Sequence, residues 1–194
     1  MAPNLSRLVY WSLVLWVLAY TLVLGLALLL QVLEAELPCP LCMLQRYGMI
    51  LSTLGPLWII RDAHRRTLTA QTYHQGLGLA SLGAFVGAVF AGRQVLLHIL
   101  PGDTGYGDPV LGLHMYSWAF ITFCVVIVFT GVLAILSPLA LPVAPRDQTL
   151  SSRISRIIGM AFLGIIAINA VMIVFLEGAA WVLPDNPTSY GLFG

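Results

Sequence analysis

The chain has 194 residues, of which 59% are hydrophobic and only 9% are charged, and its formal net charge is +1. Soluble domains usually carry about 25% charged residues, so this composition excludes an ordinary soluble domain and indicates an integral membrane protein. We expect membrane lipid around the chain and no nucleic acid as a partner.

Five long apolar segments follow one another along the chain. Each is near or above the ~20 residues that a helix needs to cross a bilayer. The apolar runs are continuous rather than alternating, which favours helices over strands. The first run is longer than the ~7–15 apolar residues of a cleaved signal peptide, so we expect it to be retained. The sequence predicts an all-α, polytopic membrane helical bundle in one domain (1–194), a four-helix core plus a fifth transmembrane helix, with spans at about 8–33, 42–60, 75–100, 114–136 and 157–176.

Charge alternates between the connections of these segments and predicts their orientation. By the positive-inside rule, the arginine-rich connections lie in the cytoplasm. The N-terminus is then cytoplasmic, while the C-terminus, Cys39 and Cys42 face outward; in a bacterium with a periplasm, that is the compartment where disulfides persist. The arginines on the inner side are Arg7, Arg61, Arg65, Arg66, Arg146, Arg153 and Arg156, and the acidic residues on the outer side are Glu34, Glu36, Asp103, Asp108, Glu177 and Asp185.

A C-x-x-C pair, Cys39 and Cys42, stands at the start of the second apolar segment. Pro40 suits the first position of a helix, which makes Cys39 the N-cap and places Cys42 in the first turn. Unpaired N–H groups and the helix dipole favour a thiolate there, so thiol redox chemistry becomes available. Arg46 follows Cys42 by four residues and is expected on the same helix face.

Two other interpretations of the cysteine pair are open. C-x-x-C can form half of a zinc site, but the sequence lacks the usual second Cys or His pair. The pair can also be a structural clip, although a disulfide that closes so short a loop removes little chain entropy. The flanking prolines and Arg46 favour redox chemistry.

Ionisable residues gather where the third segment ends and the fourth begins. Arg93, His98 and His114 flank the connection 101–113, and polar groups at membrane depth indicate a site. Their functional interpretation is a polar lining for a cofactor near the outer surface. Alternatively, Arg93 snorkels to the interface, and the histidines are ordinary interfacial residues. Two histidines alone are a weak signal for a haem or metal site.

Other features predict packing rather than chemistry. Cys124 stands alone in the fourth segment and is expected to be a small buried hydrophobe. Asn169 is expected to form a hydrogen bond between helices. A stripe of small residues along the third segment predicts a close helix-packing face: Gly76, Ala80, Gly83, Gly87 and Ala91.

The run from Cys39 to Arg46 (Cys-Pro-Leu-Cys-Met-Leu-Gln-Arg), placed after a first span and a short acidic loop, resembles the disulfide bond formation protein B family. The resemblance covers about residues 8–136. It implies a bacterial inner-membrane bundle that takes electrons from a periplasmic thioredoxin-fold dithiol oxidoreductase and passes them to quinone, either ubiquinone or menaquinone. In that family the second Cys lies against quinone and the Arg contacts its head group, which implies these roles for Cys42 and Arg46. Cys39 is then the other half of the disulfide.

The sequence departs from the best-known members of this family in two ways. Those members carry a second cysteine pair in the second periplasmic loop, whereas the corresponding connection 101–113 has no cysteine. They also have four spans, whereas five are predicted here. The first departure puts the two-disulfide relay in doubt, and the second suggests an added packing or docking surface.

The expected mechanism uses the Cys39–Cys42 disulfide directly. A partner thiolate attacks it, at Cys39 if that sulfur is the more exposed, and Cys42 leaves as a thiolate. Cys42 then donates electrons to quinone while Arg46 stabilises the developing oxyanion. His98, or else His114, is expected to supply protons.

Two alternatives remain at this point. The chain can be a non-catalytic membrane subunit that binds a larger complex through its fifth span and the tail 181–194. It can also be a haem-binding electron carrier that uses His98 and His114.

Overall fold

The computed structural model describes residues 3–33, 37–100, 102, 105–107, 109–146, 149–178, 187 and 189–192. These residues form five helices: α1 (Pro3–Leu33), α2 (Pro40–His64), α3 (Ala70–Leu97), α4 (Met115–Leu136) and α5 (Leu150–Glu177). Among the described residues, extended pairing is limited to an isolated bridge between Val110 and Leu113. The predicted all-α bundle is confirmed.

Four of the described helices, α1, α3, α4 and α5, are long and apolar enough to cross a membrane. α2 has 25 residues, about 37 Å of helix at ~1.5 Å per residue, so its length also suffices. α2 is less apolar than the other four helices. It can carry polar side chains because they are buried against α1, α3 and α4. These side chains include Gln45, Ser52, Thr53 and Asp62.

Glycines let α2, α3 and α4 approach closely. A Cβ on Gly83 would collide with the backbone of Ser52 on α2, and a Cβ on Gly87 would collide with the Phe123 ring on α4. Helix backbones that meet through small residues gain packing contacts that lipid does not offer them. The predicted packing face of α3 is confirmed, since all its members are buried: Gly76, Ala80, Gly83, Gly87 and Ala91.

α5 lies outside this core, packs on α1 and leaves much of its surface exposed. The chain after α5 returns to the end of the helix, where Gly191 N–H donates to Leu176 O and Leu192 N–H donates to Phe175 O, both at 3.1 Å. The predicted fifth helix is therefore present, and the residues that follow it are fastened to its last turn. Residues 181–186, 188, 193 and 194 of the predicted docking tail lie outside the described residues.

Two predictions about packing residues are wrong. Cys124 is exposed rather than buried, because it lies on the outward face of α4. Asn169 is buried, but its Nδ2 donates to Ile165 O of its own helix at 2.9 Å rather than to another helix.

Hydrogen bonds between elements define the two ends of the bundle. At the cysteine end, Tyr106 OH donates to Leu37 O at 2.7 Å. At the arginine end, Tyr10 OH and His64 Nε2 are 2.9 Å apart. The arginine end carries the residues that the sequence assigns to the cytoplasmic side: Arg7, Arg61, Arg65, Arg66, Arg146, Arg153 and Arg156.

Candidate active site at the cysteine end

The cysteine pair forms the start of α2, as predicted. Cys39 is the N-cap, and its Sγ accepts a hydrogen bond from Cys42 N–H at 3.2 Å. Pro40 occupies the start of the helix, where its missing N–H costs nothing. Both cysteines are free thiols in the structure. The pair is therefore held at a helix terminus in its dithiol form.

Gln94 on α3 connects the two sulfur atoms. Its Nε2 lies 3.6 Å from Cys39 Sγ and 3.7 Å from Cys42 Sγ. Its Oε1 accepts a hydrogen bond from Gln45 Nε2 at 2.6 Å, which fixes the orientation of the amide. Only 2% of Gln94 is exposed. Because N–H donors favour a charged acceptor over a neutral one, this amide stabilises a thiolate at the pair.

Arg46 reaches across to α1. Its Nη1 donates to Gln31 Oε1 at 2.7 Å, and its Nη2 donates to Ala27 O at 3.2 Å. The guanidinium also interacts electrostatically with Cys42. The two residues lie four positions apart on α2, as expected, and α1 orients the guanidinium group.

Gln31 offers a hydrogen-bond donor that the described residues leave without an acceptor. The residue is 1% exposed, and its Nε2 has no partner among the described residues. A buried donor without a partner costs ~1–3 kcal/mol. Together with Arg46, it forms a donor pair suited to an oxygen atom of a ligand.

Two tyrosines from distant segments close the cysteine end. Tyr106, in the connection between α3 and α4, donates to Leu37 O at 2.7 Å, two residues before Cys39. Tyr190, after α5, contacts the Gln31 carbonyl oxygen at 3.5 Å. Tyr190 also packs on a small apolar cluster that fastens the end of α5 to the start of α2: Leu37, Met43 and Leu176.

The expected attack at Cys39 assumes that its sulfur is the more exposed of the two, and the structure shows the reverse. Cys39 is 6% exposed, whereas Cys42 is partly exposed. Cys39 is covered because it lies between Gln94 and the segment held by Tyr106. Its hydrogen bond to Cys42 and its burial raise the pKa of Cys39 above the usual range of a thiol. Cys39 is therefore the protonated, covered member of the pair.

The histidines predicted to line a cofactor site come together around Tyr116. His98, the C-cap of α3, stacks on the Tyr116 ring at 5.5 Å between ring centroids, and His114, the N-cap of α4, stacks on it at 5.3 Å. The His114 Nδ1 is also 3.0 Å from Gly107 O. Arg93 is exposed on α3. These contacts lie with the connection between α3 and α4, whereas Gln94 and Gln31 hold the cysteine pair and Arg46.

Three glutamines that organise the site were not among the site residues predicted from the sequence. Gln31, Gln45 and Gln94 are polar residues within predicted apolar segments, which was the available signal. Spacing along the chain does not reveal the contacts that these side chains make, because the three residues lie on three different helices. The roles of Tyr106 and Tyr190 depend on long-range contacts and carry no local signal.

A family model and several known proteins match this chain. The family model described as "Disulfide bond formation protein DsbB" matches residues 9–108. A protein of Herminiimonas arsenicoxydans named disulfide bond formation protein B is 31% identical over 143 residues, covering 58% of this chain and 86% of that protein. One of Pseudomonas fluorescens Pf0-1, named disulfide bond formation protein B 1, is 27% identical over 140 residues, covering 56% and 79%.

A third relative matches a shorter part of the chain. A Hahella chejuensis protein, also named disulfide bond formation protein B, is 37% identical over 87 residues, covering 44% of this chain and 50% of that protein. No solved structure matches the chain. The family match includes the cysteine pair, Gln31, Arg46 and Gln94 and ends before α4 and α5.

Proposed function

Because the chain belongs to the disulfide bond formation protein B family, we propose that it passes electrons from a periplasmic thioredoxin-fold dithiol partner, through Cys39 and Cys42, to ubiquinone or menaquinone. Family membership makes it a membrane disulfide-forming oxidoreductase. One arrangement supports electron transfer to quinone in particular. Gln94 holds the cysteine pair, and beside the pair lie Arg46 and the unpartnered amide nitrogen of Gln31.

The residues beside Cys42 fit a quinone carbonyl group. Quinone would supply a two-electron, two-proton acceptor whose carbonyl oxygens accept hydrogen bonds. The guanidinium of Arg46 has five N–H donors, more than its two bonds to α1 use. Gln31 Nε2 is a second buried donor without a partner, on the side chain whose Oε1 accepts from Arg46. Arg46 would stabilise the negative charge that develops on an oxygen placed there, because a fixed charge is most effective in a site that excludes water.

Electrons enter the oxidised protein by thiol–disulfide exchange. A partner thiolate attacks Cys39, a bond forms between these two sulfurs, the Cys39–Cys42 bond breaks, and Cys42 leaves as a thiolate. The second thiol of the partner then attacks the mixed disulfide and releases Cys39 as a thiol. Attack at Cys39 keeps Cys42, the sulfur that interacts with Arg46, free to donate electrons.

This order of attack requires the covering of Cys39 to open. Cys39 is nearly inaccessible, and Tyr106 holds the backbone at Leu37 just before it. Partner binding would therefore have to replace the Tyr106 contact and move the segment 37–39 outward. The connection 101–113 has no cysteine, so it would act as a cover rather than as an electron carrier.

Electrons leave when the dithiol closes to a disulfide again. The pair loses two electrons and two protons, with Gln94 Nε2 favouring the thiolate that Cys42 needs. Contacts of Arg93, His98 and His114 with quinone, and proton delivery by either histidine, remain predictions. The two histidines stack on Tyr116, so any such role would operate at the α3–α4 connection.

Quinone reduction by the purified protein tests this proposal. The protein is supplied with excess dithiol and a soluble ubiquinone analogue, and quinone absorbance is followed for the wild type, Cys42→Ser and Cys124→Ser. We expect turnover in the wild type and in Cys124→Ser, whose cysteine lies on the exposed face of α4. Turnover should vanish in Cys42→Ser. Equal rates in Cys42→Ser and the wild type would refute electron transfer through the pair.

A further inference from the structure

A cavity of about 720 Å³ lies between α2 and α5 at the arginine end. Its volume falls in the range of ~300–1,000 Å³ that is typical of ligand sites. It is far from the cysteine pair, which stands at the opposite end of α2. Its wall is mostly apolar and includes Leu54, Leu57, Trp58, Gly159, Met160 and Leu163.

Three arginines also line this cavity, together with Ile60, His64 and Ser155. Arg61 and Arg65 come from the last turn and C-cap of α2, and Arg156 comes from the second turn of α5. All three are exposed. The carboxylate of Asp62 pairs with Arg61 at 3.0 Å and offsets that charge. Arg65 and Arg156 place two further positively charged groups at the mouth of the cavity.

The cavity is open because α5 has a glycine where a side chain would narrow it. A Cβ on Gly159 would lie 3.2 Å from Leu57 Cδ1, so any longer side chain there would enter the space between the helices. Met160 and Leu163, on the same stretch of α5, are more than half exposed. The cavity is thus a groove that opens to the acyl chains of the surrounding bilayer.

We infer that this groove binds an anionic phospholipid, with its acyl chains on the apolar wall and its phosphate at Arg65 and Arg156. An apolar wall that ends in arginines matches an amphiphile with a negative head, and each basic residue near a membrane surface contributes about 1 kcal/mol to anionic lipid binding. A free phosphate would leave the apolar wall unused. One wall of the groove comes from α5, which lies beyond the residues that match the family.

Trp58 lines the groove and gives the test a direct signal. The full chain is reconstituted in phosphatidylcholine vesicles. One series contains increasing fractions of brominated phosphatidylglycerol, and the other contains increasing fractions of brominated phosphatidylcholine. The bromine atoms on the acyl chains quench tryptophan on contact. The Trp58 signal is the difference between the wild type and Trp58→Phe. We expect half-quenching at about thirtyfold lower mole fraction of the brominated anionic lipid, the factor that two arginines at about 1 kcal/mol each give.

Two variants separate the charge of the groove from its shape. Arg65→Gln/Arg156→Gln should remove the preference for the anionic lipid, whereas Arg153→Gln, one turn away on α5 and outside the lining, should keep it. Gly159→Leu should reduce quenching of Trp58 by both lipids because it fills the groove. Equal quenching by the two lipids in the wild type, no quenching of Trp58 by either, or an unchanged preference in the double variant would each overturn the inference.

Discussion

Gln94 places one amide nitrogen beside two sulfur atoms, and the Gln45 amide holds it in that orientation. Removing it would take a donor from both sulfurs and leave a buried Gln45 donor without its acceptor. The chemistry of the cysteine pair is therefore expected to depend on a residue that has no redox activity of its own.

Gln94→Leu should slow quinone reduction by the dithiol about tenfold at neutral pH, since a hydrogen bond to a charged group contributes ~1.5–3 kcal/mol. The measurement is the rate of quinone reduction together with the rate of thiol alkylation, both against pH. The thiolate should form at higher pH in the variant. Gln75→Leu, an exposed glutamine at the other end of α3, is the control and should change neither rate. An alkylation profile of Gln94→Leu that overlays the wild type would contradict the role of this amide.

Gln31→Leu tests the donor pair on α1. The change removes the unpartnered Nε2 and also the acceptor that orients Arg46. We expect KM for quinone to rise about tenfold, the effect of ~1.4 kcal/mol. The rate at which a small dithiol reduces the Cys39–Cys42 disulfide should be unchanged. An unchanged KM for quinone would show that Gln31 does not contribute to the acceptor site.

The connection between α3 and α4 covers the start of α2 through Tyr106. Tyr106→Phe removes its hydrogen bond to Leu37 O. A hydrogen bond of this kind contributes ~0.5–1.5 kcal/mol, so Cys39 in Cys42→Ser/Cys124→Ser protein should be alkylated about threefold to tenfold faster. The same change at the arginine end, Tyr73→Phe, is the control, because Tyr73 OH contacts Leu133 O far from the pair. Equal alkylation rates with and without the Tyr106 hydroxyl would contradict the covering role.

Two glycines on α3 test the packing of α2 against α3 with the same substitution. Gly83→Ala would place a methyl group against the backbone of Ser52, whereas Gly78 has open space around its Cβ position. Gly78→Ala should leave thermal stability unchanged or raise it, since Ala is favoured over Gly in a helix by about 1 kcal/mol. Gly83→Ala should lower the apparent Tm, because overpacking costs ~1–3 kcal/mol. A Tm for Gly83→Ala that matches Gly78→Ala would show that α2 and α3 adjust freely.

Local signals made the helices and the cysteine motif predictable. Cys39 and Pro40 mark a helix start by their own chemistry, and the small residues of α3 mark its packing face by their spacing. The glutamine network was not predictable, because it depends on how α1 and α3 pack against α2. The exposure of Cys39 was also not predictable, since its cover comes from residues about seventy positions away.

In the whole molecule, the redox site and the arginine-lined groove lie at opposite ends of the bundle. The cysteine pair, Arg46 and the glutamines lie at one end of the bundle, and the arginine groove between α2 and α5 lies at the other. α5 contributes to both ends, since its last turn packs near Met43 and its first turns line the groove.

In the proposed mechanism, one cysteine pair suffices for electron transfer to quinone. A single-turnover experiment on Cys124→Ser tests this, because Cys39 and Cys42 are then the remaining cysteines of the three in the chain. The protein is fully reduced, freed of reductant without oxygen and mixed with a ubiquinone analogue, and quinol and free thiols are counted after a single turnover. We expect one quinol per chain and the loss of both free thiols. Thiols that stay free, with no quinol formed, would contradict this mechanism.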